Sequence, residues 1–122
     1  MRCIDVFPDF NIIDIDTYGS PWPLAYLIAS RNVIAPASEV AFVLTDGSAF
    51  KGKINRIEAH LAHMAGVRQQ IRGASRIWPD ITAAAMRRAA AMMAADVTAI
   101  KVAPYQDGRM LYSAAILRGK AL

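Results

Sequence analysis

Cysteine is almost absent. Cys3 is the single one, so no internal disulfide can form and no cysteine-based zinc cluster can be built. Long apolar runs are missing too. Nothing approaches the ~18 residues a membrane helix needs, and the opening Met1-Arg2-Cys3-Ile4-Asp5 carries an acid where a secretion signal would continue apolar. The expectation is a cytoplasmic chain with no membrane partner. Internal repeats, low-complexity linkers and blocks of like charge are also lacking, which removes repeat architectures and disordered charged tails from consideration.

What is present is enough for one ordinary domain. The 122 residues are 55% hydrophobic and 20% charged, so apolar material for a core is ample, and a single domain over 1–122 is expected. Fourteen Lys and Arg against ten Asp and Glu give a net charge of +4. The excess lies in the second half, at Arg68, Arg72, Arg76, Arg87, Arg88, Arg109, Arg118 and Lys120. A basic half is compatible with nucleic acid, because phosphate neutralisation supplies most non-specific affinity, although a surplus of this size also serves plain solubility.

Periodicity gives the element order. Phe10-Asn11-Ile12-Ile13-Asp14-Ile15-Asp16 is a β-branched run ending in polar residues, Gly19 and Pro21, the pattern of a buried strand entering a loop. Pro21 to Arg31 reads as a short helix with Leu24, Leu27 and Ile28 at helical spacing, and Asn32 to Pro36 breaks it. Val40-Ala41-Phe42-Val43-Leu44 is a second strand, again finishing in polar residues, Thr45-Asp46-Gly47. Strand, helix, strand implies a right-handed parallel unit. From Lys53 a third helical segment is predicted, with Ile54, Ile57, Leu61 and Met64 on one face and weak points at Gly66 and Gly73. Asp80 after Pro79 is the expected N-cap of an alanine-rich helix ending near Asp96, in which Met86, Met92 and Met93 fill the core. Two alternating segments, Val97 to Tyr105 and Arg109 to Leu117, flank Gln106-Asp107-Gly108, whose Asp-Gly pair signals a hairpin.

In an open parallel sheet ligands collect beyond the C-terminal strand ends, so Asp14 to Trp22 and Thr45 to Lys53 should lie together and form the site. There an acid can accept a hydrogen bond from an amine and orient its lone pair, while Tyr18 and Trp22 offer faces on which a base could stack. The competing account is structural: Asp16, Ser20 and Pro21 cap the following helix and Trp22 packs. His60 and His63, at i,i+3, lack an evident third ligand beyond Glu58, so no metal is expected.

The run Asp14-Ile15-Asp16-Thr17-Tyr18-Gly19-Ser20-Pro21 after an apolar strand resembles motif IV of class I S-adenosylmethionine-dependent methyltransferases, and most closely the tRNA guanine-N2 dimethyltransferase group, whose loop reads Asp-Pro-Tyr/Phe-Gly-Ser-Pro. Thr17 stands where that group has proline. Phe42-Val43-Leu44-Thr45-Asp46 looks like the next strand of the family, and the closing hairpin like its sixth and seventh strands. The resemblance implies an α/β fold: a partial Rossmann-like methyltransferase sheet of two parallel strands plus a C-terminal antiparallel hairpin, with flanking helices. It also implies that Asp16 is the catalytic acid. Tyr18, Gly19, Ser20, Pro21, Trp22, Thr45 and Asp46 would hold the substrate, an amine of a nucleic acid.

The family's donor site uses a glycine-rich turn after its first strand and an acid after its second, and this sequence supplies neither. By the resemblance it corresponds to the C-terminal half of the fold. S-adenosylmethionine is therefore expected as cofactor only if a partner supplies the missing half-site. The edge of strand 10–16 would then be left open, to be covered by a second copy in a homodimer or by a partner chain. The alternative functions are a non-catalytic assembly or regulatory module derived from that fold, and a small basic nucleic-acid-binding protein.

Overall fold

The computed structural model describes residues 5–7, 11–105 and 109–121. It is a mixed α/β structure with three helices. A four-stranded mixed sheet is built from β2 (Asn11–Asp16), β4 (Glu39–Asp46), β6 (Met110–Gly119) and β5 (Ala95–Tyr105), in that spatial order. Strands β2 and β4 run parallel, and β6 lies between β4 and β5, antiparallel to both. A separate parallel pair joins β1 (Asp5–Phe7) to β3 (Asn32–Ile34). The expected parallel unit and closing hairpin are thus present; the Asp-Gly turn itself, 106–108, and Phe10 fall outside the described residues.

Strand alternation decides which side of the sheet is covered. Ile13 and Ile15 of β2, Val40, Phe42 and Leu44 of β4, and Leu111, Ala115 and Leu117 of β6 point to one side and meet the core, with Val97, Ile100 and Val102 of β5 packed at its margin. On that side lies α3 (Ala74–Met92), which buries Ala74, Trp78, Ile81, Thr82, Ala85, Met86, Ala89 and Ala90, a stripe at helical spacing whose alanines let the backbone approach closely. Helix α1 (Trp22–Arg31) and α2 (Ala59–Ala65) complete the layer.

Several local expectations are corrected. No helix runs on from Lys53: a 3₁₀ turn (Ala49–Ile54) ends at Asn55, whose φ of 60° takes the chain out of helical geometry, and Ile54 is left 64% exposed. Helix α2 starts only after Glu58 and stops at Gly66 in the left-handed conformation, the weak point read from the sequence. Pro79 and Asp80 do not begin α3. The helix starts six residues before Asp80, after the left-handed Gly73, and Pro79 sits in its second turn. Residues 32–34 are not merely a break but a short strand, with the β-branched Val33 and Ile34 pairing to Val6 and Phe7. Helix α3 ends at Met92 rather than Asp96, because Ala94 takes φ 57° and β5 has begun by Ala95.

One close approach fixes the far end of β6. A Cβ on Gly119 would lie 1.9 Å from the Ala35 carbonyl oxygen, so no side chain fits where β6 passes the β3–β4 connection. Gly119 N donates to Ser38 O and its own carbonyl accepts from Ala37 N, stitching the two segments together.

Candidate active site

The two polar strand ends meet as the topology requires: Asp16 pairs directly with Thr45 across β2 and β4. Beyond them residues 17–21 turn the chain into α1. Gly19 makes the turn possible with φ 82°, a region other residues enter at a cost. Its carbonyl accepts from Gly47 N at 2.8 Å, which ties the turn to the end of β4. Gly47 must stay small, since a Cβ there would come within 3.3 Å of the Gly19 oxygen. Thr17 closes the turn with its hydroxyl, donating to the Ser20 carbonyl at 3.1 Å.

Ser20 is the second anchor. Its hydroxyl accepts from Trp22 N at 3.1 Å and donates to Glu58 Oε2 at 2.9 Å, a bond spanning 38 positions of sequence. The same Glu58 caps α2, accepting from His60 N at 3.0 Å and Leu61 N at 2.9 Å. Burial works against the Glu58 charge, yet these two backbone N–H groups and the Ser20 hydroxyl together hold its carboxyl below the ordinary glutamate range. Pro21, the first residue of the α1 approach, accepts from Ala25 N through its carbonyl and makes no side-chain cap.

Asp46 plays a different part from the one its sequence position suggests. It is 2% exposed and accepts from Ser48 N at 2.8 Å, Ser48 Oγ at 2.5 Å and Trp78 Nε1 at 3.3 Å. Burial pushes its carboxyl above the ordinary aspartate range, against the pull of those bonds, and the nearby Glu58 charge adds to the rise. Asp46 thus braces the turn after β4 and ties it to α3, with no face open to a ligand. Thr45 is also buried. Trp22 is wholly buried in the core, so it packs and offers no stacking surface.

Asp16 and Tyr18 remain on the surface. The Asp16 side chain is exposed and makes no hydrogen bond among the described residues, so it does not cap α1; Tyr18 projects fully into solvent. Together with Thr17, Gly19, Gly47, Ile54, Arg109 and Met110 they line an open cleft of about 940 Å³, the size range of small-molecule sites. Ile54 and Glu58 lie one and five positions beyond the 45–53 segment, outside the site expected from the sequence, while Arg109 and Met110 join from the start of β6, far along the chain from both strand ends. His60 and His63 flank the Tyr26 ring, with centroids 6.1 and 5.7 Å from it, and no group of metal-ligating side chains occurs among the described residues. No helix of the structure is long and apolar enough to cross a membrane.

Set against protein-family models, curated proteins and solved structures, the chain matches none.

Proposed function

We propose that the chain is the substrate-holding half of a methyltransferase, transferring a methyl group from S-adenosylmethionine to an amine of a nucleic acid once a partner or dimer mate supplies the donor half. The observation that carries this reading is Asp16: a free carboxylate at the end of β2, beside a turn locked by Gly47 and Glu58, opening on a cleft with Tyr18 at its lip. A carboxylate so placed accepts from an exocyclic amine and aims its lone pair outward for in-line attack on a donor methyl. S-adenosylmethionine, held by the donor half, would supply the methyl group, and Asp16 would take up the proton that the amine gives off. Tyr18 supplies the face against which the base rests, and Arg109, which lines the same cleft, suits a phosphate. Among the described residues β2 is an edge strand of the four-stranded sheet, and a donor half would add along that edge.

A binding experiment on the chain alone tests this. Cytidine, adenosine and guanosine monophosphates, each bearing an exocyclic amine, should shift the resonances of the 16–20 loop in an NMR titration more strongly than uridine monophosphate does. Tyr18→Ala should abolish the shifts and Asp16→Asn should erase the preference over uridine. Nucleotides that bind equally well without Tyr18, or not at all, would sink the proposal. The second reading, a non-catalytic assembly module, is favoured by the uncovered face and free edge of the sheet, and it predicts no nucleotide response in the cleft.

A further inference from the structure

The helices cover only one side of the four-stranded sheet. On the other side the strand register arranges side chains in rows that cross all four strands. One row reads Ile12, Ala41, Ile116, Ala99, and the next Asp14, Val43, Ala114, Lys101. Ile12 is 61% exposed, and neither Asp14 nor Lys101 has an ion-pair partner among the described residues. An exposed sheet face that carries apolar side chains beside two unpaired opposite charges is a candidate contact surface.

We infer that a second copy of this chain covers this face, related by a twofold axis parallel to the strands. Such an axis lays β2 over β5 of the second copy and β4 over its β6. The first row then meets itself with large residues over small: Ile12 over Ala99, and Ala41 under Ile116. The second row meets itself with opposite charges: Asp14 over Lys101, and Lys101 over Asp14. Both matches follow from one operation, and the rows need no adjustment to make them. A twofold axis across the strands would instead lay β2 over its own copy, setting Asp14 against Asp14 or against Ile12 and never against Lys101, so the charges select the first arrangement. Two aligned sheets facing each other ~10 Å apart are an ordinary sandwich, with room for these side chains to interdigitate.

The contact is small. Four strands at ~4.8 Å spacing and five residues at ~3.3 Å give roughly 300 Å² of sheet plane per copy, below the ~800 Å² per partner of a standard interface, which points to a dimer of about micromolar strength or weaker. The free edge of β2 stays open in this dimer, while Asp16, one row beyond Asp14, lies over Ala103 of the second copy at the end of the contact, so dimerisation is measured apart from nucleotide binding.

Sedimentation equilibrium across the micromolar range tests it. The wild-type chain should pass from monomer to dimer with rising concentration. Lys101→Asp alone, or Asp14→Lys alone, should weaken the dimer about tenfold or more by setting like charges face to face. The double exchange, Asp14→Lys with Lys101→Asp, should restore it, and unchanged circular dichroism would show that all variants fold. A chain that stays monomeric at every concentration overturns the inference. So does a dimer indifferent to Lys101→Asp, which would be one paired through the β2 edge, and so does a double exchange that fails to rescue.

Discussion

Replacing Glu58 by alanine removes the partner of four hydrogen bonds at once, to His60 N, Leu61 N, Ser20 Oγ and the His60 ring Nδ1. Loss of the helix cap costs about 1 kcal/mol. The charge-assisted bond from Ser20 adds about another, so the expected loss is about 2 kcal/mol. For a chain of 122 residues that lowers Tm by roughly 8 °C, a shift calorimetry resolves easily. The dependence on pH gives a sharper check. Folding holds the Glu58 carboxyl below its ordinary value of 4.5. Its charge therefore contributes in full above that pH, and the contribution is lost as pH falls through the lower folded value. Glu58→Gln, which keeps the shape without the charge, should lie below wild type at neutral pH and converge on it as the solution is acidified beyond 4.5. The same variants should blunt nucleotide binding in the cleft, because Ser20 loses its anchor. An unchanged Tm in Glu58→Ala, or a gap to Glu58→Gln that stays constant into acid, would refute the account of this residue as the tie between loop and helix.

Asp46 should behave in the opposite sense. Its carboxyl is raised above 3.8, so the wild-type chain loses stability as pH rises from there through the folded value; Asp46→Asn should abolish that slope in urea titrations. It should also cost about 1–2 kcal/mol, because an amide N–H would face the Trp78 indole N–H. Gly119→Ala should destabilise by about 3 kcal/mol or more, since the added carbon falls on the backbone of residue 35; a soluble variant with native Tm would contradict the close packing there. Gly47→Ala should leave Tm within a few degrees yet displace the Gly19 turn, read as weakened nucleotide shifts in the 16–20 loop.

Much of the architecture could be read from periodicity. Ile12 to Asp16, Val40 to Leu44 and the two alternating segments around 106–108 are strands because their β-branched residues fit a half-buried pleat, and the two polar strand ends did come together. The failures share a cause. Ile54, Ile57, Leu61 and Met64 have helical spacing, but Asn55 in left-handed geometry breaks the run, and nothing in a hydrophobic pattern reports a backbone angle. Pro79 looks like a helix start because proline suits a first turn, yet burial of Ala74 and Trp78 carries α3 further back. At the site, strand alternation puts Asp46 in phase with the buried Val40, Phe42 and Leu44 and leaves Asp16 on the face opposite Ile13 and Ile15. What the pattern does not show is the Trp78 indole, 32 positions away, that meets the buried Asp46 carboxyl.

The placement of β6 carries a consequence for how the chain acquires its structure. The strand latest in sequence sits between two earlier ones, so β4 and β5 have no common neighbour until it arrives. Residues 39–46 must wait for partners some 70 positions downstream, a long loop to close before any of those ladder bonds form. Folding is therefore expected to be slow and all-or-none, with β4 bare on one side in every species that precedes β6 insertion. Those species, rather than the finished sheet, are where aggregation during synthesis should begin, and where a chaperone would have the most to shield.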